Sequence, residues 1–598
     1  MGDAGSFRRP DWLVVLGVLV FHSALLAWGA FSHSPTWDEV AHLPAGVSHW
    51  QSRQFDLYRV NPPLVRMVAA LPVVIAGSRC PWRAVSGAPG ARPEFWISVP
   101  FIQAHGGEVF RLVTLARWAC LPFSLVGALI CLQWARRLYG RTAGLLAIVL
   151  WCFAPSILAN AQLITPDVGA AALGVAAGYV FWRWLEQPRW TRAFGAGVVL
   201  GLAELTKATW IVLFGLWPLL WLLWRCPEGR ALSRPEWLRE GSQLGLVLVL
   251  ALYVVNLGYG FEGSFQRLEN YTFVSEALGG APSEGQSANA ARNRFGGTWL
   301  GALPVPIPKN YLLGIDQQKW EFERRMWSYF RGKWQLGGWW YYYLYALGIK
   351  VPLGMWVLVL SAALLGALHR GYVATRRDEL VLLAPIAVVL TLVSSQTGLN
   401  HHMRYVLPIF PFAFVWASKV ARAVDLKNWT LASVLAAALS WSVASSLWCY
   451  PHSLSYFNEL VGGPRHGHEH LLDSNIDWGQ DLLYLRRWFD QHPDARPLGV
   501  AYGLPYVDPR IAGIEYTLPP RHAPAPGWYA LSVRTIRGPS REYDYFLHSE
   551  PVATAGYSIY IYHITPDEAN RVRREMGLPE LPEDWQASAG GTGDEPGR

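Results

Sequence analysis

Apolar residues run along this chain in long blocks, broken by polar stretches of very unequal length. A membrane span needs about 20 mostly apolar residues. Eleven stretches approach that pattern, near 11–31, 112–135, 143–161, 167–185, 193–206, 208–225, 241–260, 341–367, 379–396, 404–420 and 428–448. The fourth to sixth are short or closely joined. The first follows only ten residues and lacks a small-residue cleavage site, so it reads as a retained anchor. Three less apolar segments remain, about 32–110, 261–340 and 449–598. In the last of them the periodicity changes. Residues 480–489 show helical spacing through Leu482, Leu485 and Trp488 or Phe489, and strand-like runs follow at 498–502, 528–533 and 557–564. The pattern predicts a polytopic α-helical membrane protein of about 11 transmembrane helices. It divides into a membrane module over 1–448, a small C-terminal α/β domain over 449–585, and a disordered tail over 586–598.

Composition sharpens this picture. Of 598 residues 52% are hydrophobic and only 16% charged, with 32 Trp. These figures exclude a disordered chain, a disulfide scaffold and a simple soluble enzyme. The mean hydropathy of +0.17 is modest for a chain wholly in lipid. The three long polar segments account for that.

The net charge of +8 resolves into topology. Basic residues cluster at Arg8–Arg9, Arg136–Arg141, Arg183–Arg192, Arg225–Arg239, Arg370–Arg377 and Lys419–Lys427, while the alternate short connections carry only Lys207 and Arg404. By the positive-inside rule the N-terminus is cytoplasmic, and eleven spans then put the C-terminal domain on the extracytoplasmic side. A nucleic-acid partner is not needed to explain the charge. Six Cys show no metal-ligand spacing; Cys80 and Cys449 are the pair that an extracytoplasmic disulfide would join.

Candidate chemistry gathers at one membrane face. Asp38 and Glu39 follow the first span inside an amphipathic pattern (Trp37, Val40, Leu43, Val47, Trp50), with His42 one turn beyond Asp38. Adjacent helical residues diverge by about 100°, so only one of the two acids would react. The plain alternative is a helix start favoured by the helix dipole. Asn61-Pro62-Pro63-Leu64 reads as a rigid turn back to the membrane. Asp167 opens the fourth span as a second acid, or as its N-cap with Pro166 fixing the entry. Lys207 lies between two apolar stretches, where snorkelling is the ordinary explanation. Arg404 begins the tenth span and Arg117 lies near the outer end of the second. Together, two acidic sites and three cations suit transfer from a lipid-linked phosphate. The acid takes a proton from an acceptor hydroxyl, and the cations stabilise charge on the departing phosphate.

The order of these pieces resembles the polytopic GT-C glycosyltransferases that use polyprenyl-phosphate sugars, above all protein O-mannosyltransferases and lipid A aminoarabinose transferases. WDEVAH, NPPL, LARW, RRLYG, ITPD, GLAELTK and RYVLPIFPF follow in family order. LPVPIPKNYLLGIDQQ, WWYYYLYALGIKVPLG, YFNELVGG and LLDSNIDWGQDL are similar to bacterial members in particular. The resemblance implies Asp38 as catalytic base supported by Glu39, Asp167 as a second acid, and Arg117, Lys207 and Arg404 as holders of the lipid phosphate, with His42 and Asn61 lining the site. It implies inverting single displacement at the sugar carbon, in a bacterial inner membrane. Asn61 departs from the His or Lys common at that turn. The acceptor would be a lipid, glycan or protein hydroxyl, and a divalent cation is left open because metal dependence varies among these enzymes.

Other clusters have bland readings beside sharper ones. His466, His468 and His470, or His401 and His402, read as loop histidines before they read as metal ligands. Asp473, Asp477 and Asp481 suggest an acidic site, yet Asp477–Gln480 also fits a capping box. WWYYYLY at 339–345 reads as an interfacial belt or as the wall of a prenyl groove. A transporter or flippase of lipid-linked saccharides is the alternative function. It would place ionisable residues deep in several spans, whereas here they sit at span ends.

Overall fold

The computed structural model describes residues 9–78, 90–225, 233–281 and 292–582. Cys80, Arg8, Arg230 and the expected tail lie outside the described residues. Helix α1 (Arg9–Ser32) is the first apolar run. After it, α2 (Glu39–Ser52) and α3 (Leu64–Ile75) pack against each other outside the spans, and α4 (Pro93–His105) leads into the 31-residue α5 (Val109–Tyr139). The chain continues through α6 (Arg141–Phe153), α7 (Pro155–Ala161), α8 (Pro166–Glu186) and α9 (Trp190–Glu204).

Among the described residues eight helices are long and apolar enough to cross a membrane, or ten if each of two bent pairs is one span. Both bends follow from proline. The α6–α7 pair turns by 57° at Ala154, whose extended backbone is what a following Pro155 favours. Helices Tyr342–Lys350 and Leu353–Leu368 meet at 113° across Val351-Pro352. The run at 193–206 is the shortest of the eleven expected spans. That run forms α9, whose 15 residues make about 22 Å of helix, short of a hydrocarbon core of about 30 Å. Still, α9 packs along α8 and carries the chain from the Arg183–Arg192 end back to the start of α8, where Lys207 Nζ meets Asp167 Oδ1 at 2.8 Å.

Helix α8 is the buried centre of the bundle. Gly169, Ala170–Ala172, Gly174 and Gly178 give it a surface of small residues that neighbours approach closely. At Gly174 a Cβ would sit 1.8 Å from the Trp210 ring, whose Nε1 donates to the Ala170 carbonyl at 2.9 Å.

Residues beyond 449 do form a helix and a sheet, but not a detached unit. Helix Leu482–Gln491 precedes β-strands Leu498–Ala501, Gly527–Ser532, Ala553–Ala555 and Ile559–Ile564. The first two strands pair in parallel, and the last strand lies antiparallel between the second and third. Leu482, Leu485, Phe489 and Val500 share one core with Val40, Leu43 and Val47 of α2. The backbone is stitched too: Ser34 N donates to Gln480 O and Trp37 N to Trp478 O, both at 3.0 Å. The C-terminal segment is thereby fixed directly over the loop that carries Asp38.

Candidate active site

Helix α2 decides which of the two adjacent acids faces inward. Asp38 stands at its N-cap position without a side-chain capping bond, so its carboxylate is free to point elsewhere. It points into a cavity of about 410 Å³ lined by the first outer segment, the start of α8, Lys207, residues 318–326, 399–405 and 473–479. There Arg404 joins both acids: Nη2 lies 2.7 Å from Asp38 Oδ2, and Nη1 lies 2.9 Å from Asp167 Oδ2. Lys207 closes the chain on Asp167 Oδ1. The Arg404 guanidinium stacks over Trp478 at 4.2 Å, and Lys207 lies 5.3 Å from the Tyr405 ring. The side chain of Asp38 is 16% exposed, against 1% for Asp167, 8% for Lys207 and 9% for Arg404. Asp38 is therefore the most exposed of the four charged groups.

Glu39 turns the other way. It is fully buried and accepts from Arg117 Nε at 2.8 Å and Nη2 at 2.6 Å, from Thr36 N and Oγ1 at 2.9 Å, and from Ile164 N at 3.0 Å. Burial works against its ionisation, but the Arg117 charge and these bonds hold its carboxyl below the usual range. Arg117 spends its other donors on the carbonyls of Ala30, His33 and Ser34. All five N–H groups are thus used inside the protein, and Arg117 does not line the cavity. The expected phosphate contact is corrected accordingly: the Glu39–Arg117 pair braces the turn that carries Asp38.

The remaining expected residues divide. Asn61 lines the cavity. His42 does not; it is buried one turn from Asp38 and stacks on Tyr58 at 3.9 Å. Burial and the nearby Arg66 hold its imidazole well below its usual range and hence neutral. Asp167 is not an N-cap: Thr165 holds that position, and Asp167 lies in the first turn. Nor does Asp477 open a helix, because Asp481 is the N-cap of Leu482–Gln491. Asp477 instead accepts from Ser532 Oγ at 2.5 Å and Arg534 N at 3.1 Å. Asp473 pairs with Arg534 Nε at 2.7 Å and lines the cavity, while Asp481 turns away from it. The three loop histidines take separate partners: His466 pairs with Glu469, His468 with Tyr560 and His470 with Tyr345. In the aromatic run Trp340 and Tyr341 are exposed whereas Tyr342 and Tyr343 are buried.

Several lining residues carry no sequence signal of their own. Arg92 bonds Glu321 at 2.7 Å over the Tyr58 ring, Arg324 stacks on Trp320 at 4.4 Å, and Arg534 covers Trp37 at 4.6 Å. Arginines on aromatic faces recur in binding sites; only folding brings Arg92 to Tyr58 and Arg534 to Trp37, whereas Arg324 lies one helical turn from Trp320. A second, apolar groove of about 170 Å³ adjoins the cavity and shares Lys207, Gln318 and Tyr405 with it; Ile211, Ile315, Phe322, Leu392 and Val393 supply its walls.

Residues 98–259 match the family model described as dolichyl-phosphate-mannose-protein mannosyltransferase. No curated protein matches the chain. Among solved structures it is similar to ArnT from Cupriavidus metallidurans bound to undecaprenyl phosphate, at 13% identity and a TM-score of 0.44, over 93% of this chain and 98% of that one. It is also similar to the Archaeoglobus fulgidus oligosaccharyltransferase complex with zinc and sulfate, at 12% identity and a TM-score of 0.40, over 87% and 68% of the two chains. The matched region holds Arg117, Asp167 and Lys207, and runs from α4 to the end of helix Arg234–Gly258. The chain thus combines eight to ten apolar spans among its described residues with a match, over residues 98–259, to the family model described as dolichyl-phosphate-mannose-protein mannosyltransferase.

Proposed function

We propose that the chain moves a sugar from a polyprenyl-phosphate donor to a hydroxyl acceptor at the extracytoplasmic face, with Asp38 as general base. The observation that carries this reading is the Asp38–Arg404–Asp167–Lys207 chain at the junction of a polar cavity and an apolar groove. A polyprenyl phosphate has the matching shape: an apolar tail for the groove, an anion for Lys207 and Arg404, and a sugar for the cavity. The groove, rather than the exposed aromatic pair Trp340 and Tyr341, is the better prenyl wall because it reaches Lys207.

In the proposed reaction Asp38 removes the acceptor's proton as its oxygen attacks the anomeric carbon. The bond from that carbon to the phosphate oxygen breaks, and the phosphate departs with the bonding electrons. A single displacement of this kind inverts the anomeric centre. Phosphate leaves readily, so the cations need only stabilise its charge. Asp167 holds Arg404 and Lys207 in register and balances their charge until the donor arrives. Arg324, which lines the cavity, supplies further positive charge. The 1–448 segment is read as the membrane module and 449–585 as the roof that positions the acceptor, in a bacterial inner membrane with the N-terminus cytoplasmic. The return of α9 to the level of Asp167 supports an odd number of crossings.

Lys207→Met tests the donor assignment. A charge-assisted hydrogen bond to phosphate contributes about 1.5–3 kcal/mol, so kcat/KM for a polyprenyl-phosphate sugar is expected to fall about 10- to 100-fold. Initial rates at varied donor concentration measure it. An unchanged kcat/KM would remove Lys207 from the phosphate site.

A further inference from the structure

Behind the cavity wall, three side chains converge from segments remote in sequence. His33 follows α1, His452 follows helix Trp429–Cys449, and Asp481 precedes helix Leu482–Gln491. Nδ1 of His452 lies 3.1 Å from Asp481 Oδ1, and Nε2 of His33 lies 3.9 Å from the same oxygen. One nitrogen or oxygen from each residue lies within 4.8 Å of the other two. In a tetrahedral zinc site with bonds of about 2.0–2.1 Å, neighbouring ligand atoms stand about 3.3–3.4 Å apart. The two measured spacings bracket that value.

The surroundings aim these atoms at a common point. Nδ1 of His33 faces the Gly29 carbonyl at 2.9 Å, and a carbonyl can only accept, so the proton is on Nδ1. That leaves the Nε2 lone pair directed toward Asp481. An outer hydrogen bond of this kind is what orients histidine ligands in metal sites. Oδ2 of Asp481 is occupied by Ser558 Oγ at 2.8 Å and Gln480 Nε2 at 3.3 Å, which turns Oδ1 toward the two imidazoles. Gly556, at φ +62°, makes room for the carboxylate: a Cβ there would lie 2.2 Å from Oδ2. A hydrogen bond from His452 alone would satisfy Asp481. It does not explain why a second imidazole nitrogen faces the same oxygen, an arrangement that repels unless a proton or a metal cation lies between them. None of the three residues lines the transfer cavity.

We propose that His33, His452 and Asp481 bind a zinc ion, with a water molecule as the fourth ligand. The ion clamps the outer ends of the first and last spans to the C-terminal segment. Its mechanical consequence runs through the next residue, since Ser34 gives its carbonyl to Arg117 and its hydroxyl donates to Gly479 O at 2.8 Å. The clamp thereby steadies the strand from which Asp38 projects, and it takes no part in bond making.

Metal analysis by mass spectrometry on the full chain, purified in detergent, exposed to zinc and desalted, tests this. About one zinc per chain is expected for the native protein and for a His466→Gln, His468→Gln control, and little for His452→Gln or Asp481→Asn. Because Asp481→Asn could unfold the chain, the native protein is also loaded with cobalt(II), whose visible absorption should report tetrahedral coordination. A chelator should then lower its unfolding temperature. A native protein that retains no zinc and gives no cobalt spectrum would overturn the proposal, and so would a folded His452→Gln variant that keeps its zinc.

Discussion

Replacing Asp38 with Asn is expected to slow sugar transfer by about 100- to 10,000-fold, the usual contribution of a positioned general base. Asn keeps an oxygen that can accept from Arg404, so the chain of bonds through Asp167 and Lys207 survives and the cavity keeps its shape. What is lost is the capacity to take a proton. Donor binding should therefore change little while kcat collapses. The contrast with the neighbouring acid makes this specific: Glu39→Gln alters a buried brace and should lower stability without a comparable loss in kcat of the folded fraction. Steady-state rates for both variants in one detergent preparation check the pair. Near-native kcat in Asp38→Asn would end the assignment of Asp38 as base.

Arg117→Met is expected to be the most destabilising single change near the site. It leaves the fully buried Glu39 carboxylate without its counter-charge and strips the carbonyls of Ala30, His33 and Ser34 of their donors. Removing one partner of a buried pair typically costs about 3–5 kcal/mol. That is a large share of the roughly 5–15 kcal/mol that holds a typical folded protein together. Arg117→Lys should recover only part of it, because three donors on a flexible stem cannot replace a five-donor fork. The measurement is thermal unfolding in detergent, together with KM for the donor in whatever folded protein remains. Loss of stability with unchanged KM is the expected pattern. Native stability with a raised KM would instead return Arg117 to the phosphate.

The contrast between Arg117 and Arg404 shows where sequence reasoning reached its limit. Asp38, Asp167, Lys207 and Arg404 stood out because ionisable residues at apolar span ends are costly and few, and the fold gathers all four. Arg117 had the same signature. Its partner was fixed by the direction in which Glu39 leaves α2, which a pattern of spacing could not distinguish from the direction of Asp38. Arg92, Arg324 and Arg534 were illegible for another reason. They lie in long polar segments where arginine is unremarkable; Arg92 and Arg534 gain meaning from the distant rings of Tyr58 and Trp37, and Arg324, one turn from Trp320, from the cavity that only folding builds around it. The spans were legible from hydropathy, and the two sharp bends sit at X-Pro steps, Ala154-Pro155 and Val351-Pro352, that were visible in the sequence. The shortness of α9 was legible too, since its run over 193–206 was one of those read as short or closely joined. Three of the four strands of the C-terminal sheet were readable as alternating runs. The three-residue strand Ala553–Ala555 was too short to carry a pattern.

The central claim is that this cavity takes its sugar from a polyprenyl phosphate by chemistry at Asp38. It is tested most directly by giving the purified protein a polyprenyl-phosphate sugar labelled in the sugar, together with a lipid, glycan and protein extract as acceptor source. The account predicts that label enters an acceptor fraction while an equal amount of free polyprenyl phosphate appears, and that Asp38→Asn slows both by at least about 100-fold. Label that stays on the polyprenyl phosphate with the native protein, across all acceptor fractions, would contradict it.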